Sequence, residues 1–145
     1  MPVIILLVAS ALALLYVLLK AARKAQTKKA EELLERFRGR KVVSVKSSAN
    51  FFGQESLGYS QMRGNCSLVI TEDEIFSEMW LPKKTITIPI TSVVSIETPK
   101  SFLGKSRGRP LLKVVFTNKN GLNDSAAWQV SDLSETVKLL KTLVR

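Results

Sequence analysis

Residues 64–80, GNCSLVITEDEIFSEMW, contain the pattern that decides the fold of this chain. Leu68 and Ile70 share one face of a predicted strand, because side chains along a strand alternate between faces with a period of two. Glu72-Asp73 follows as a turn signal, and residues 75–80 return as an antiparallel partner. The stretch therefore predicts a β-hairpin.

Short apolar runs separated by turn residues continue on both sides of this hairpin. Ile86, Ile88 and Ile90 share a face, and Asn118-Lys119-Asn120-Gly121 is a strong turn signal. Counting the two strands of the hairpin, eight segments fit this pattern, and we expect about seven strands in an antiparallel meander. The additional strands are expected at residues 42–45, 56–62, 85–89, 93–98, 111–117 and 125–130.

An amphipathic helix is predicted at the C-terminal end. Asp132-Leu133-Ser134-Glu135 has the form of a capping box, in which the first and fourth side chains bond the free amides of a helix start. Leu133, Val137, Leu140 and Val144 then fall on one face of the helix. This apolar face can cover the apolar faces of the strands.

This order of strands and helix resembles the pleckstrin-homology-like (PH-like) superfold, and more specifically the bacterial PH and GRAM-type domains. The resemblance rests on the pattern G-x-x-x-L-x-I-T-x-x-x-I-F at residues 64–76 and I-P-I-x-x-V-x-x-I at residues 88–96. It implies an α+β domain over residues 40–145, a partly open barrel of two antiparallel sheets capped by the C-terminal helix. It also implies a lipid-binding or protein-binding module, although no residue-level lipid motif can be transferred.

A single transmembrane helix is predicted over residues 3–22. Ser10 is the only polar side chain in residues 3–19. Those 17 residues span roughly 26 Å as a helix, and Ala21 and Ala22 extend it toward the thickness of a bilayer. A cleaved signal peptide is the alternative, but no basic segment precedes the apolar run, so the sequence favours an uncleaved anchor.

A basic segment over residues 23–39 follows as a predicted juxtamembrane helix. Positive residues remain on the cytoplasmic side, so we expect the N-terminus outside and the domain on the cytoplasmic face of the cell (inner or plasma) membrane. We expect an apolar stripe around Leu33 and Phe37 either to pack on the domain or to mediate self-association. The sequence does not decide between a monomer and a homodimer. The membrane-proximal basic residues are Lys20, Arg23, Lys24, Lys28 and Lys29.

The composition argues against catalysis. The chain has no His and one Cys, so Ser-His and Cys-His pairs, His-based metal sites and intrachain disulfides are excluded. Gly104-Lys105-Ser106 is not a phosphate-binding P-loop, because that motif needs Gly where Pro99 stands. The formal charge of +10 is concentrated next to the predicted span, and no nucleic-acid motif accompanies it. We expect no enzyme activity, no cofactor, no metal and no nucleic-acid partner.

Two basic loops are the candidate contacts for a lipid or protein partner. In residues 99–110, four cations surround Phe102-Leu103, and residues 80–84 place an aromatic, an aliphatic and two cations at a hairpin tip. Such loops touch membranes when the apolar side chains are exposed, whereas packing on the core is the alternative for Phe102, Leu103 and Trp80. The candidate residues are Lys100, Phe102, Leu103, Lys105, Arg107, Arg109, Trp80, Lys83 and Lys84.

The sequence therefore predicts a membrane-anchored binding module that recognises a protein partner or anionic lipid headgroups. The alternative is a structural or assembly protein that oligomerises through its transmembrane and juxtamembrane helices, with the domain as a scaffold.

Protease accessibility tests the predicted orientation. In sealed host membranes, protease on the cytoplasmic side should digest residues 40–145, whereas an epitope placed before Met1 should be accessible only from the opposite side. Domain cleavage from the outside would contradict the orientation.

Overall fold

The computed structural model describes all 145 residues and divides into two units, Met1–Arg36 and Phe37–Arg145. The first unit is a single helix, α1 (Pro2–Arg36), whose N-terminal part is strongly apolar and exposed. Its length and composition suffice to cross a membrane, and a signal sequence near an N-terminus shares both properties.

The second unit is a seven-stranded antiparallel sheet followed by a helix, and its strand order is β4-β3-β2-β1-β7-β6-β5. Short 3₁₀ turns follow β1 and β4. The elements are β1 (Val42–Gln54), β2 (Gly64–Thr71), β3 (Glu74–Met79), β4 (Lys84–Pro89), β5 (Val93–Glu97), β6 (Leu112–Thr117), β7 (Asn123–Gln129) and α2 (Leu133–Leu143).

Strand β1 joins what the resemblance implied to be two sheets into one continuous sheet. It pairs with β2 from Val42 to Phe51 and with β7 from Asn50 to Gln54. Three register irregularities interrupt these ladders, and such bulges bend a strand and increase its twist. Strands β4 and β5 each have one neighbour, so the sheet stays open between them. This architecture is consistent with a PH-like fold.

At the start of this sheet one predicted strand is longer than expected and another is absent. The short strand expected at residues 42–45 continues to Gln54. The strand expected at residues 56–62 is instead a 3₁₀ turn (Glu55–Leu57) followed by a loop. The hairpin of β2 and β3 was predicted correctly, with Ile70 paired to Ile75 across the turn.

Helix α2 covers the apolar face of the sheet, as its pattern predicts. Leu140 is fully buried, and Trp128 lies in the same core with its indole N–H donating to the Ser77 hydroxyl at 2.9 Å. The Phe51 ring packs on Trp128 with 5.7 Å between ring centroids. The other buried side chains of this core are Ala49, Cys66, Leu68, Ile70, Ile75, Met79, Ile88, Ile90, Leu112, Val114, Phe116, Ala126 and Val130.

The expected capping box does not form at the start of α2. Asp132 is the N-cap residue, but its carboxylate makes no capping hydrogen bond. Instead it accepts a hydrogen bond from the Lys46 ammonium of β1, which holds the pKa of Asp132 below its ordinary value. A charged partner from a distant strand therefore replaces the local cap.

Ion pairs hold the start of the second unit to the turn between β2 and β3. Arg40 pairs with Glu74 at 2.7 Å, and Lys41 pairs with Glu72 at 2.5 Å. Their carboxylates raise the pKa of both cations, in each case mainly through the hydrogen bond. The acidic turn is thus paired with Arg40 and Lys41, which directly precede β1.

Replacement of the central helix side chain should destabilise the domain. We expect Leu140→Ala to lower the free energy of unfolding by about 2–5 kcal/mol, because it removes buried methyl groups and leaves a cavity. Urea unfolding of the full chain in detergent, followed by Trp fluorescence, measures the change.

The matched control is Thr142→Ala on an exposed position of the same helix, with an expected change within about 0.5 kcal/mol. Equal stability of the two variants would contradict the role given to Leu140.

Candidate binding face

The side chain of Gln61 closes the loop between β1 and β2. Its Nε2 donates to the backbone oxygens of Gln54 and Gly58, both at 2.6 Å, and its Oε1 accepts from the Gln54 amide at 3.0 Å. The half-buried side-chain amide of Gln61 thus donates two hydrogen bonds and accepts one, and these three bonds fix the loop against the end of β1. Gln61 therefore organises a segment that lacks regular secondary structure.

Two lysines converge on Gln61, one at the start of β4 and one in the loop between β5 and β6. Lys105 Nζ donates to the Gln61 backbone oxygen at 2.6 Å, with a longer contact of 3.5 Å to the Phe52 oxygen. Lys84 Nζ lies 3.4 Å from Gln61 Oε1 and 5.8 Å from the Phe51 ring centroid. We call residues 55–63, 80–84 and 98–111, which these contacts connect, the Gln61 face.

The positive charge of Lys84 and Lys105 is not compensated within the domain. Neither ammonium forms an ion pair, and every acceptor that contacts them is a neutral oxygen or an aromatic ring. Neutral acceptors orient an ammonium without cancelling its charge. The arrangement suits an anionic ligand.

A second apolar cluster supports the face from the side of the sheet opposite Phe51. Phe52, Phe102, Leu111 and Ala127 are buried together, and Leu103 packs partly against them. Phe102 is only 8% exposed, so its ring is not available to a ligand. Of the two alternatives left by the sequence, the structure therefore shows packing on the core for Phe102 and, in part, for Leu103.

A glycine allows this close packing. Leu103 Cδ1 would lie 3.0 Å from a Cβ at Gly53, which also has a φ of 132° that side chains rarely adopt. Gly53 thereby permits the loop of Leu103 to approach β1.

The remaining predicted contacts are divided between exposed and packed positions. Trp80 is half-buried and its indole N–H donates to Ser67 at 3.1 Å, so it packs on β2 rather than standing at the tip. The exposed cations of the two loops are Lys83, Lys100, Arg107 and Arg109. Lys20, Arg23, Lys24, Lys28 and Lys29 lie on α1, in the other unit.

Several side chains of the face were not singled out from the sequence. Tyr59, Met62 and Leu81 are exposed apolar side chains, at 76%, 69% and 84% respectively. The Arg63 guanidinium lies 5.2 Å from the Phe52 ring centroid. The interpretation of residues 56–62 as a strand concealed this loop, although Gly58 is a turn signal within it.

The only thiol of the chain, Cys66, lies in the core. Burial raises the pKa of Cys66 to about 12, and a hydrogen bond with Ser77 acts in the opposite direction. The thiolate is therefore negligible at neutral pH. The structure contains no group of three or more His, Cys, Asp or Glu side chains arranged to hold a metal ion.

Thiol modification provides a direct check of this burial. At pH 8 we expect Cys66 of the folded chain to resist a disulfide reagent and to react fully once urea unfolds the domain, because only unfolding exposes it and restores its ordinary pKa. Ser60→Cys, at an exposed loop position, is the control and should react at once. Rapid native reaction at Cys66 would contradict the structure.

Comparison with known proteins supports the fold. No protein-family model and no curated protein matches the chain. The chain is similar to a chain in the crystal structure of the complex of PDZ-RhoGEF DH/PH domains with GTP-γ-S activated RhoA, with a TM-score of 0.51 and 14% identity. The match covers 77% of this chain but only 32% of the solved one. This likeness concerns the fold alone and supports a PH-like domain.

Proposed function

We propose that this chain is a membrane-anchored, PH-like binding module that recognises anionic lipid headgroups through the Gln61 face. The observation that carries the proposal is the pair Lys84 and Lys105, two ammonium groups that neutral acceptors hold in place without a counter-charge. A phosphate-bearing headgroup can supply the missing negative charge.

The charge of the face favours a polyanionic surface. Its three segments contain seven basic residues against one acidic residue, Glu55, for a net charge of +6. Glu55 in turn accepts a hydrogen bond from the Ser125 hydroxyl at 2.6 Å. Each Lys or Arg near an anionic leaflet is worth about 1 kcal/mol. The basic residues are Arg63, Lys83, Lys84, Lys100, Lys105, Arg107 and Arg109.

The exposed apolar side chains favour a lipid surface over a soluble anion. Tyr59, Met62 and Leu81 are exposed beside the cations, and apolar side chains gain free energy when they enter the headgroup region of a bilayer. A cationic face with apolar tips therefore combines the two interactions that peripheral membrane binding uses.

The N-terminal apolar helix supports the anchored part of the proposal. In this proposal α1 crosses the cytoplasmic membrane and the domain lies on the cytoplasmic side. An anchor keeps the domain close to lipid, and the resulting effective concentration lets a weak headgroup contact be occupied. The face then provides lipid selectivity rather than attachment.

Vesicle flotation of residues 37–145 tests the headgroup contact, since this unit contains the complete sheet and both apolar clusters. We expect flotation with anionic phosphatidylglycerol vesicles, weakening as salt rises, and little with phosphatidylcholine. Lys84→Gln/Lys105→Gln should weaken binding roughly 30-fold, the equivalent of about 2 kcal/mol.

Lys119→Gln/Lys138→Gln is the matched control, because it removes the same two charges from exposed positions outside the face. An equal loss of vesicle binding in the two double variants would show that binding depends on net charge and not on the positions of Lys84 and Lys105. Flotation by neither wild type nor variants would refute headgroup binding and favour a protein partner for the face.

A further inference from the structure

A buried carboxylate without a cationic partner lies behind the Gln61 face. Asp124, in β7, is 3% exposed. Its Oδ1 accepts hydrogen bonds from the backbone N–H groups of Ser56 at 3.0 Å and Ser125 at 2.8 Å. Its Oδ2 accepts hydrogen bonds from the Gln54 side-chain amide and the Ser56 hydroxyl, both at 2.6 Å. Four neutral donors thus surround one carboxylate.

Those donors keep Asp124 ionised. Burial raises the pKa of Asp124, but the hydrogen bonds from Gln54, Ser56 and Ser125 together outweigh it, so the pKa lies below its ordinary value. Hydrogen bonds to an ionised acceptor are stronger than those between neutral groups. The carboxylate therefore binds the first residues of the loop between β1 and β2 firmly to β7.

Gln54 links this carboxylate to the face. Its side chain donates to Asp124, while its backbone amide and oxygen hold the side chain of Gln61. Gln61 in turn accepts a hydrogen bond from the Lys84 ammonium at its side-chain oxygen and one from the Lys105 ammonium at its backbone oxygen. An unbroken series of polar contacts connects the buried carboxylate with the two cations.

We propose that Asp124 is the positioning residue of the Gln61 face: it holds residues 54–61 in the conformation that places Lys84 and Lys105 for anion binding. The inference rests on the headgroup-binding function proposed above. Asp124 contacts no ligand in this arrangement. It acts through Gln54 and Gln61.

A matched carboxylate elsewhere separates positioning from general stability. Asp132 also has a lowered pKa and also joins distant elements, since it pairs with Lys46 of β1 at the start of α2. It makes no hydrogen bond to the loop between β1 and β2. Asp124→Asn and Asp132→Asn are therefore comparable changes with different expected consequences.

The first experiment uses the full chain in phosphatidylcholine nanodiscs and does not depend on ligand binding. Hydrogen exchange of the backbone amides of residues 54–63 should be roughly tenfold faster in Asp124→Asn. The reason is that the Asn side chain has one acceptor oxygen and cannot accept all four hydrogen bonds that Asp124 accepts. The acylation rates of Lys84 and Lys105 should rise with it. Asp132→Asn should leave both measurements unchanged. Wild-type exchange in Asp124→Asn, or the same acceleration in both variants, would overturn the proposal.

The second experiment repeats the acylation in nanodiscs that contain phosphatidylglycerol. Anionic lipid should protect Lys84 and Lys105 in the wild type and in Asp132→Asn, and the protection should be lost in Asp124→Asn. Retained protection in Asp124→Asn would overturn the positioning role. Absence of protection in the wild type would refute the proposed function, while the exchange data would still decide whether Asp124 orders the loop.

A milder variant covers the case in which Asp124→Asn fails to fold. Gln54→Met removes the side-chain carboxamide of Gln54, which donates to Ser56 and Asp124, and keeps the backbone contacts to Gln61. We expect faster exchange over residues 55–63 and partial loss of protection at Lys84 and Lys105. If Gln54→Met shows wild-type hydrogen exchange and wild-type protection of Lys84 and Lys105, Gln54 does not connect Asp124 with the face and the proposal is wrong.

Discussion

The path of β1 is the constraint on which the rest of the domain depends. Its first part pairs with β2 and its last part with β7, so one strand holds both halves of the sheet together. Phe51 and Phe52 consequently enter two different apolar clusters on opposite faces. The end of this strand also presents Gln54 to both Asp124 and Gln61.

Charge is distributed unevenly over this framework. The acids near the start of β1 and the start of α2 are paired with Arg40, Lys41 and Lys46, and Glu97 pairs with Lys113 on β6. Lys84 and Lys105 of the Gln61 face contact carbonyl and amide oxygens instead. Ion pairs thus connect elements elsewhere in the domain, whereas Lys84 and Lys105 are oriented by neutral acceptors and form no ion pair.

The parts of the fold that could be predicted are those with a local periodic signal. Alternating Leu68 and Ile70 identified the hairpin of β2 and β3, and the spacing of Leu133, Val137 and Leu140 identified α2. Strand β1 was recognised only at its first residues, because Ser47, Ser48 and Asn50 interrupt its apolar pattern. Its continuation is stabilised by ladders to β2 and β7, which lie far away along the chain.

The candidate site shows the same division. The absence of His excluded His-dependent chemistry, and the residue pattern placed basic residues in loops at 80–84 and 99–110, both of which contribute to the Gln61 face. Only the tertiary structure showed that Phe102 is buried, that Asp132 pairs with Lys46 rather than capping its helix, and that Gln61 joins Lys84 to Lys105. The physical reason is the separation along the chain. Periodicity and composition report on residues that are close in sequence, whereas the ion pair and hydrogen bonds of Asp132 and Gln61 join residues 23 to 86 positions apart, which only the folded sheet brings together.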